Sequence, residues 1–154
     1  SGLAMLRLSR MTDYAVVVLH HMASLPEGNR NTADVALATG LPAPTVSKLL
    51  HRLTEAGIVA AERGRYGGYR LDRAPEQVRL SEVLAAFEGD LALTDCLDTT
   101  GNACEHETHC AVVGHWNVVS NAIRDVLDDL TLADVLDPPA PLAPPAPPAP
   151  SLNA

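Results

Sequence analysis

The chain has 154 residues, 47% of them hydrophobic, and a formal net charge of −8. That length and apolar content suit one compact domain with appendages, and no apolar run approaches the roughly 18 residues that a membrane span requires. The total charge conceals a division. Residues 1–73 carry nine Lys/Arg against six Asp/Glu, and residues 74–154 carry two against thirteen, so a mildly basic first half can meet a polyanion that the acidic second half repels.

The opening Ser1-Gly-Leu-Ala4 has no basic region followed by an apolar one. No signal peptide is therefore expected, the reading starts at Met5, and the expected compartment is the cytoplasm. From Ser9 to Ser24 the residues Met11, Tyr14, Ala15, Val18, Met22 and Leu25 recur at helical spacing until Pro26-Glu-Gly28 stops the run. Asn31 or Thr32 is expected to cap a short second helix through Val35, Ala36 and Ala38, closed by Gly40 in a left-handed conformation. Pro44 suits the first position of a third helix, whose buried stripe is Val46, Leu49, Leu50 and Leu53 and whose stop is Gly57. The opposite face of that helix shows Thr45, Ser47, Lys48, His51 and Arg52.

Beyond Gly57, the segments 58–62 and 69–71 flank Arg63-Gly-Arg-Tyr-Gly-Gly68 and read as a hairpin with a glycine-rich, arginine-bearing tip. Val78 to Leu80 is expected to pair as a further short strand, and Ser81 to cap a helix through Val83, Leu84 and Phe87 that ends at Gly89. From about Val112 a long helix is predicted, with Trp116, Val119, Ala122, Ile123, Val126, Leu127 and Leu130 in one stripe. So continuous a stripe exceeds what one small subunit can bury, so much of it is assigned to a homodimer partner. The run from Pro138 to Pro150 holds eight prolines in thirteen residues and reads as a solvated, disordered tail.

Between the last two predicted helices lie the only three cysteines, Cys96-x7-Cys104-x5-Cys110, in a fifteen-residue window with Asp95, Asp98, Glu105, His106, Glu107 and His109. A core cysteine is normally solitary and set among apolar neighbours, whereas these have the surroundings of a metal-binding loop. An odd number of cysteines in a cytoplasmic chain argues against a disulfide framework. Spacing alone leaves three readings open: an iron–sulfur cluster, a zinc site with a histidine ligand, or a pair of thiols that oxidise to a disulfide. Structural zinc loops usually space paired ligands by two to four residues, unlike the seven and five found here.

Helix, turn, helix and hairpin in this order is the arrangement in which the second helix of the pair enters the major groove and the hairpin reaches flanking phosphates or the minor groove. The expected DNA-contacting set is Arg7, Thr32, Pro44, Thr45, Ser47, Lys48, Arg52, Arg63, Arg65, Tyr66 and Gly67. The short polar residues and Lys48 would meet base edges, and the arginines would meet phosphates or the minor groove. The bland alternative is a solvated helix face beside an ordinary hairpin. Turn, stripe, cations and glycine-rich tip agree in one segment and favour DNA. No glycine-rich phosphate loop and no nucleophile–base pair occurs, so an enzyme is not expected, and neither is a small-molecule substrate or a membrane partner.

Met5-Leu-Arg-Leu-Ser-Arg-Met-Thr-Asp-Tyr-Ala15, Gly40-Leu-Pro-Ala-Pro-Thr-Val-Ser-Lys-Leu-Leu50, Arg63-Gly-Arg-Tyr-Gly-Gly-Tyr-Arg-Leu71 and the three-cysteine window together resemble the Rrf-type winged-helix regulators. That family includes IscR, NsrR and RirA repressors, and the likeness covers residues 5 to about 136. Leu93-Thr-Asp-Cys96 and Leu132-Ala-Asp-Val135 look most like the branch that regulates the SUF iron–sulfur assembly genes. The resemblance implies a mainly α fold with a small β-hairpin wing: a winged helix-turn-helix over 5–75 and a cluster loop and dimerisation helix over 76–136, to which the proline content adds the disordered tail over 137–154. It also implies a homodimeric repressor that binds double-stranded DNA and carries an iron–sulfur cluster, 2Fe-2S in preference to 4Fe-4S.

Cys96, Cys104 and Cys110 would supply three ligands of that cluster. In the IscR pattern the fourth is a histidine three residues after the last cysteine, but Val113 stands there. In the NsrR pattern it is an aspartate in the first helix of the other subunit, and Asp13 occupies that place. Asp13 is also the acid that a helix dipole favours in a first turn, and His106, His109 and His115 are rival ligands. The NsrR-like position brings with it the alternative of a nitric-oxide- or redox-sensing repressor. From a different class comes an iron–sulfur or zinc carrier that uses the helices only as a scaffold.

Overall fold

The computed structural model describes residues 7–25, 27–89 and 113–137, with side chains of the last segment described from Trp116 onward. Six α-helices occur in this part: α1 (Arg10–Ala23), α2 (Thr32–Thr39), α3 (Ala43–Glu55), α4 (Leu80–Glu88), α5 (Val113–Asp129) and α6 (Leu132–Leu136). The antiparallel strands β1 (Val59–Glu62) and β2 (Gly68–Leu71) lie between α3 and α4, followed by a single 3-10 turn at Pro75–Gln77. None of the described helices is long and apolar enough to cross a membrane.

The first two helices start where side chains can satisfy the orphan N–H groups of a first turn. Ser9 accepts from Thr12 N–H at the head of α1, and Asn31, rather than Thr32, accepts from Asp34 N–H at the head of α2. Gly40, at φ 73°, ends α2 in the left-handed conformation that glycine adopts without strain. α3 begins one residue earlier than expected, at Ala43, so Pro44 is its second residue. Its missing N–H costs nothing there, because no N–H of the first turn has an intrahelical partner.

The predicted stripe of α3 is the centre of the molecule. Val46, Leu49, Leu50 and Leu53 are fully buried against Ala15, Val18 and Leu19 of α1, Val35 of α2, Ile58 and Val59. The same core takes in Val78, Val83 of α4 and Leu132 of α6, so residues from both charge halves close it. The hairpin register pairs Val59 with Leu71 and Glu62 with Gly68. Tyr69 also exchanges two backbone hydrogen bonds of 2.8 Å with Arg30, so the segment before α2 adds one rung to the outer edge of β2.

Two expectations are settled around α4. Val78 to Leu80 does pair, as a single bridge and not a full strand: its backbone meets the segment before α6, through Leu80 N–H to Leu130 O and Leu132 N–H to Val78 O, both 2.8 Å. That pairing holds Arg79 extended and starts α4 at Leu80, so Ser81 lies inside the helix and is not its cap. The Ser81 hydroxyl instead donates to Asp128 Oδ1 of α5, while Glu82 accepts from Arg79 N–H at 2.9 Å and from Arg73. The Ser81 bond, with a 2.7 Å bond from the Arg79 guanidinium to Asp128 O, ties the end of α5 to the start of α4.

Candidate nucleic-acid interface and metal segment

The exposed face of α3 follows directly from its buried one. With the leucines turned inward, Thr45, Lys48 and Arg52 fall at helical spacing on the other side, Thr45 partly covered, Lys48 and Arg52 exposed, and Ser47 exposed beside them. Pro44 is exposed at the start of the same helix, and His51 is held by Glu55 at 3.4 Å, one turn on. Arg7 is exposed ahead of α1, and Thr32 is partly buried in the first turn of α2.

The wing tip is built by close backbone contact. A Cβ on Gly67 would lie 2.4 Å from Glu62 O, and one on Gly68 would lie 2.7 Å from Arg30 O, so no larger residue fits either place without moving backbone. Gly67 thus has a folding reason for its identity, besides any approach to DNA. Asn29 pins the tip from below, its amide donating to Glu62 Oε2 at 2.8 Å and to Tyr66 O at 2.9 Å. Arg70 adds an ion pair with Glu62 at 3.3 Å. Asn29 and Arg70 together hold the Glu62 carboxyl below its usual range.

The strand cation Arg70 is therefore committed to a neighbouring acid, whereas the tip cations form no ion pair among the described residues. Arg63 and Arg65 are exposed, and the Arg65 guanidinium lies over the ring of Tyr66, itself 84% exposed. Arg65, Tyr66 and Gly67 share one open depression with Asn31 and Asp34, so the structure brings the wing tip beside the start of α2, with Thr32 outside the lining. Of these contributors, Asn29 and Arg30 carried no sequence signal; their roles arise from an edge pairing that no local pattern announces.

Asp13 is exposed in the first turn of α1. The residue before it, Thr12, is buried and donates through its hydroxyl to Glu88 Oε1 at the end of α4; Ser9 N–H donates to the same oxygen at 2.7 Å. These bonds hold the Glu88 carboxyl below its usual range. The head of α1 is thereby tied to Glu88, eight residues before Cys96 in the chain. Cys96, Cys104, Cys110, His106 and His109 lie outside the described residues, as do residues 138–154 of the proline-rich run. Among the described residues no three His, Cys, Asp or Glu side chains gather closely enough to hold a metal ion. By the chemistry of the donors, three thiolates and one exposed carboxylate suit a cluster with one weak ligand.

The amphipathic α3, with polar and cationic outer residues and an arginine-tipped β-hairpin after it, defines a winged helix-turn-helix DNA-binding protein. The sequence profile of the Rrf2 family, described as iron-dependent transcriptional regulator, matches residues 8–138, and the chain belongs to that family. It is a family of regulators, not of enzymes.

The HTH-type transcriptional regulator NsrR of Bacillus licheniformis is 32% identical over 132 residues, 85% of this chain and 92% of that one. Protein aau3 of Rhizobium meliloti is 30% identical over 131 residues, 85% of each chain. Among solved structures, T. potens IscR superposes with a TM-score of 0.62 at 29% identity, covering 88% of this chain and 89% of that one. The B. subtilis cysteine regulator CymR, at 23% identity and TM-score 0.61, covering 85% of this chain and 96% of that one, shares the fold.

Proposed function

We propose that this regulator reads iron–sulfur status: Cys96, Cys104 and Cys110 would hold a cluster together with Asp13 of the partner subunit, and the state of the cluster sets the affinity of a cytoplasmic homodimer for its operator. The observation that carries the reading is position. The only cysteines of the chain sit in the connection between α4, which touches α1 and α3, and α5, whose apolar face is open. When bound, the cluster, 2Fe-2S in preference to 4Fe-4S, supplies an iron centre whose stability depends on ligand type and exposure.

The residues of the chain do the remainder. Lys48, Arg52, Arg63 and Arg65 hold the duplex by its phosphates, while Thr45 and Ser47 face base edges. Glu88 clasps the head of α1, so a movement of the cysteine segment reaches both Asp13 and the helix pair; because α4 also leads toward α5, it tilts one wing relative to the other. The likeness of Leu93-Thr-Asp-Cys96 and Leu132-Ala-Asp-Val135 to the SUF regulators supports iron–sulfur assembly genes as targets and repression as the mode. An exposed Asp13 at the NsrR-like position favours a second reading, repression relieved by nitric oxide. Zinc in the same thiolates, and a carrier that does not bind DNA, are the outcomes that oppose both.

The test is anaerobic purification with a visible absorption spectrum and iron and sulfide analysis. It is followed by binding to a duplex that the full chain enriches from a randomised pool. The reading expects a coloured protein with iron and sulfide in equal amounts, a less stable cluster in Asp13→Ala, and different affinities for cluster-loaded and apo forms. Equal affinities would overturn the sensing role, a colourless zinc protein the cofactor, and salt-independent or absent DNA binding the regulator itself.

A further inference from the structure

We propose that Phe87 is a positioning residue for DNA binding, its ring holding the Arg52 guanidinium in place to meet a phosphate. The inference rests on the reading of α3 as the DNA-facing helix. Arg52 Cζ lies over the Phe87 ring, 5.9 Å from its centroid. The ring is anchored, for Phe87 is partly buried and packed against the core, whereas Arg52 is exposed. The next residue, Glu88, is bonded to Ser9 and Thr12, so the last turn of α4 is held from both sides.

What Arg52 lacks is as informative. Among the described residues its guanidinium makes no ion pair, while Arg70 and Arg73 are each bound to a carboxylate, at 3.3 and 2.8 Å. A carboxylate partner takes up in-plane N–H donors and cancels the charge. An aromatic face attracts the cation through its negative quadrupole and leaves those donors unspent. Rotamer freedom that a long side chain would lose on meeting DNA is lost in advance, which lowers the entropic cost of binding. Arg65 over Tyr66 has the same 5.9 Å separation, but Tyr66 is almost wholly exposed and fixes nothing.

The test is equilibrium binding of the full chain to the duplex it enriches from a randomised pool, by fluorescence anisotropy across roughly 50–200 mM salt. Arg52→Ala should weaken binding about tenfold and reduce the slope of log K against log salt by about one. Phe87→Leu should weaken it about threefold in the natural background and not at all in Arg52→Ala, a range set by exposed cation–π pairs. Phe87→Trp should bind as the natural chain does. Pentafluorophenylalanine at position 87 keeps the shape and reverses the charge of the ring face, so it should reproduce the Leu loss, and it decides the matter if the Leu variant does not fold.

Equal weakening by Phe87→Leu in both backgrounds, or natural affinity in the fluorinated chain, would overturn the inference. So would natural affinity in Arg52→Ala while Lys48→Ala binds weakly, which removes Arg52 from the interface and leaves α3 in place. Natural affinity in both the Arg52 and Lys48 variants overturns the DNA-facing reading of α3 itself.

Discussion

Val46, Leu49, Leu50 and Leu53 of α3 are fully buried, whereas Trp116, Val119 and Val126 of α5 are between 42% and 58% exposed. Both helices repeat their apolar residues at helical spacing, and in the sequence only the greater length of the α5 stripe marks part of it for a partner. The stripe of α3 is met within the chain by α1, α2, α4 and β1. That of α5 stays open over an entirely apolar depression lined by Val118, Val119, Ala122, Ile123, Val126 and Leu127. An amphipathic stripe states that a helix face needs cover, and not which surface supplies it. A second copy presenting the same face across a twofold axis is the cover we propose for α5.

The strongest way to break this contrast is Val126→Asp. If α5 is the dimer face, two uncompensated charges enter it and association loses on the order of 3–5 kcal/mol. Sedimentation should then show a monomer whose far-ultraviolet dichroism matches the natural chain, and a persisting dimer would place the interface elsewhere. The opposite outcome is expected for Leu50→Ala, which leaves a cavity in the core of one subunit. It should cost about 2–5 kcal/mol in denaturant unfolding, with the dimer retained at low denaturant.

The cations sharpen the comparison on a smaller scale. Arg63→Ala or Arg65→Ala should each weaken duplex binding about tenfold at low salt, as the loss of one phosphate contact does. Arg70→Ala, already paired with Glu62, should change binding by less than about twofold.

A further small effect concerns Glu82, whose carboxyl the Arg73 guanidinium, chiefly, holds below its usual range. A depressed carboxylate stabilises the fold above its unfolded pKa, near the ordinary Glu value of 4.5, and that contribution is lost as pH falls through the lower folded value. Glu82→Gln should therefore lower stability at neutral pH by at most about 1 kcal/mol, flatten the acid limb of the stability profile, and match the natural chain at the acid end.

Much of the DNA-facing half was legible because its signals are local. Ser9 and Asn31 cap helices by bonding N–H groups three residues away, Gly40 takes a left-handed turn, and the leucine spacing of α3 sorts its two faces. Ser81 misled for the complementary reason. Serine favours a cap only when the backbone before it is free to set the helix start, and here the pairing of Val78–Leu80 with Leu130–Leu132 set it first. Asn29 and Phe87 were passed over because one acts on the wing from across a turn and the other on α3 from α4.

By itself, then, the sequence determined the order of α1 to α5 and of the hairpin, the inward faces of α1 and α3, the surplus stripe of α5 and the gathering of three thiols, since all of these follow from spacing along one chain; α6 it did not announce. Tertiary structure alone decided which arginines are paired with acids among the described residues, which acid holds the head of α1, and how α6 closes the core. Those outcomes depend on distances between residues far apart in sequence, such as Ser9 and Glu88, which appear only once the core has closed.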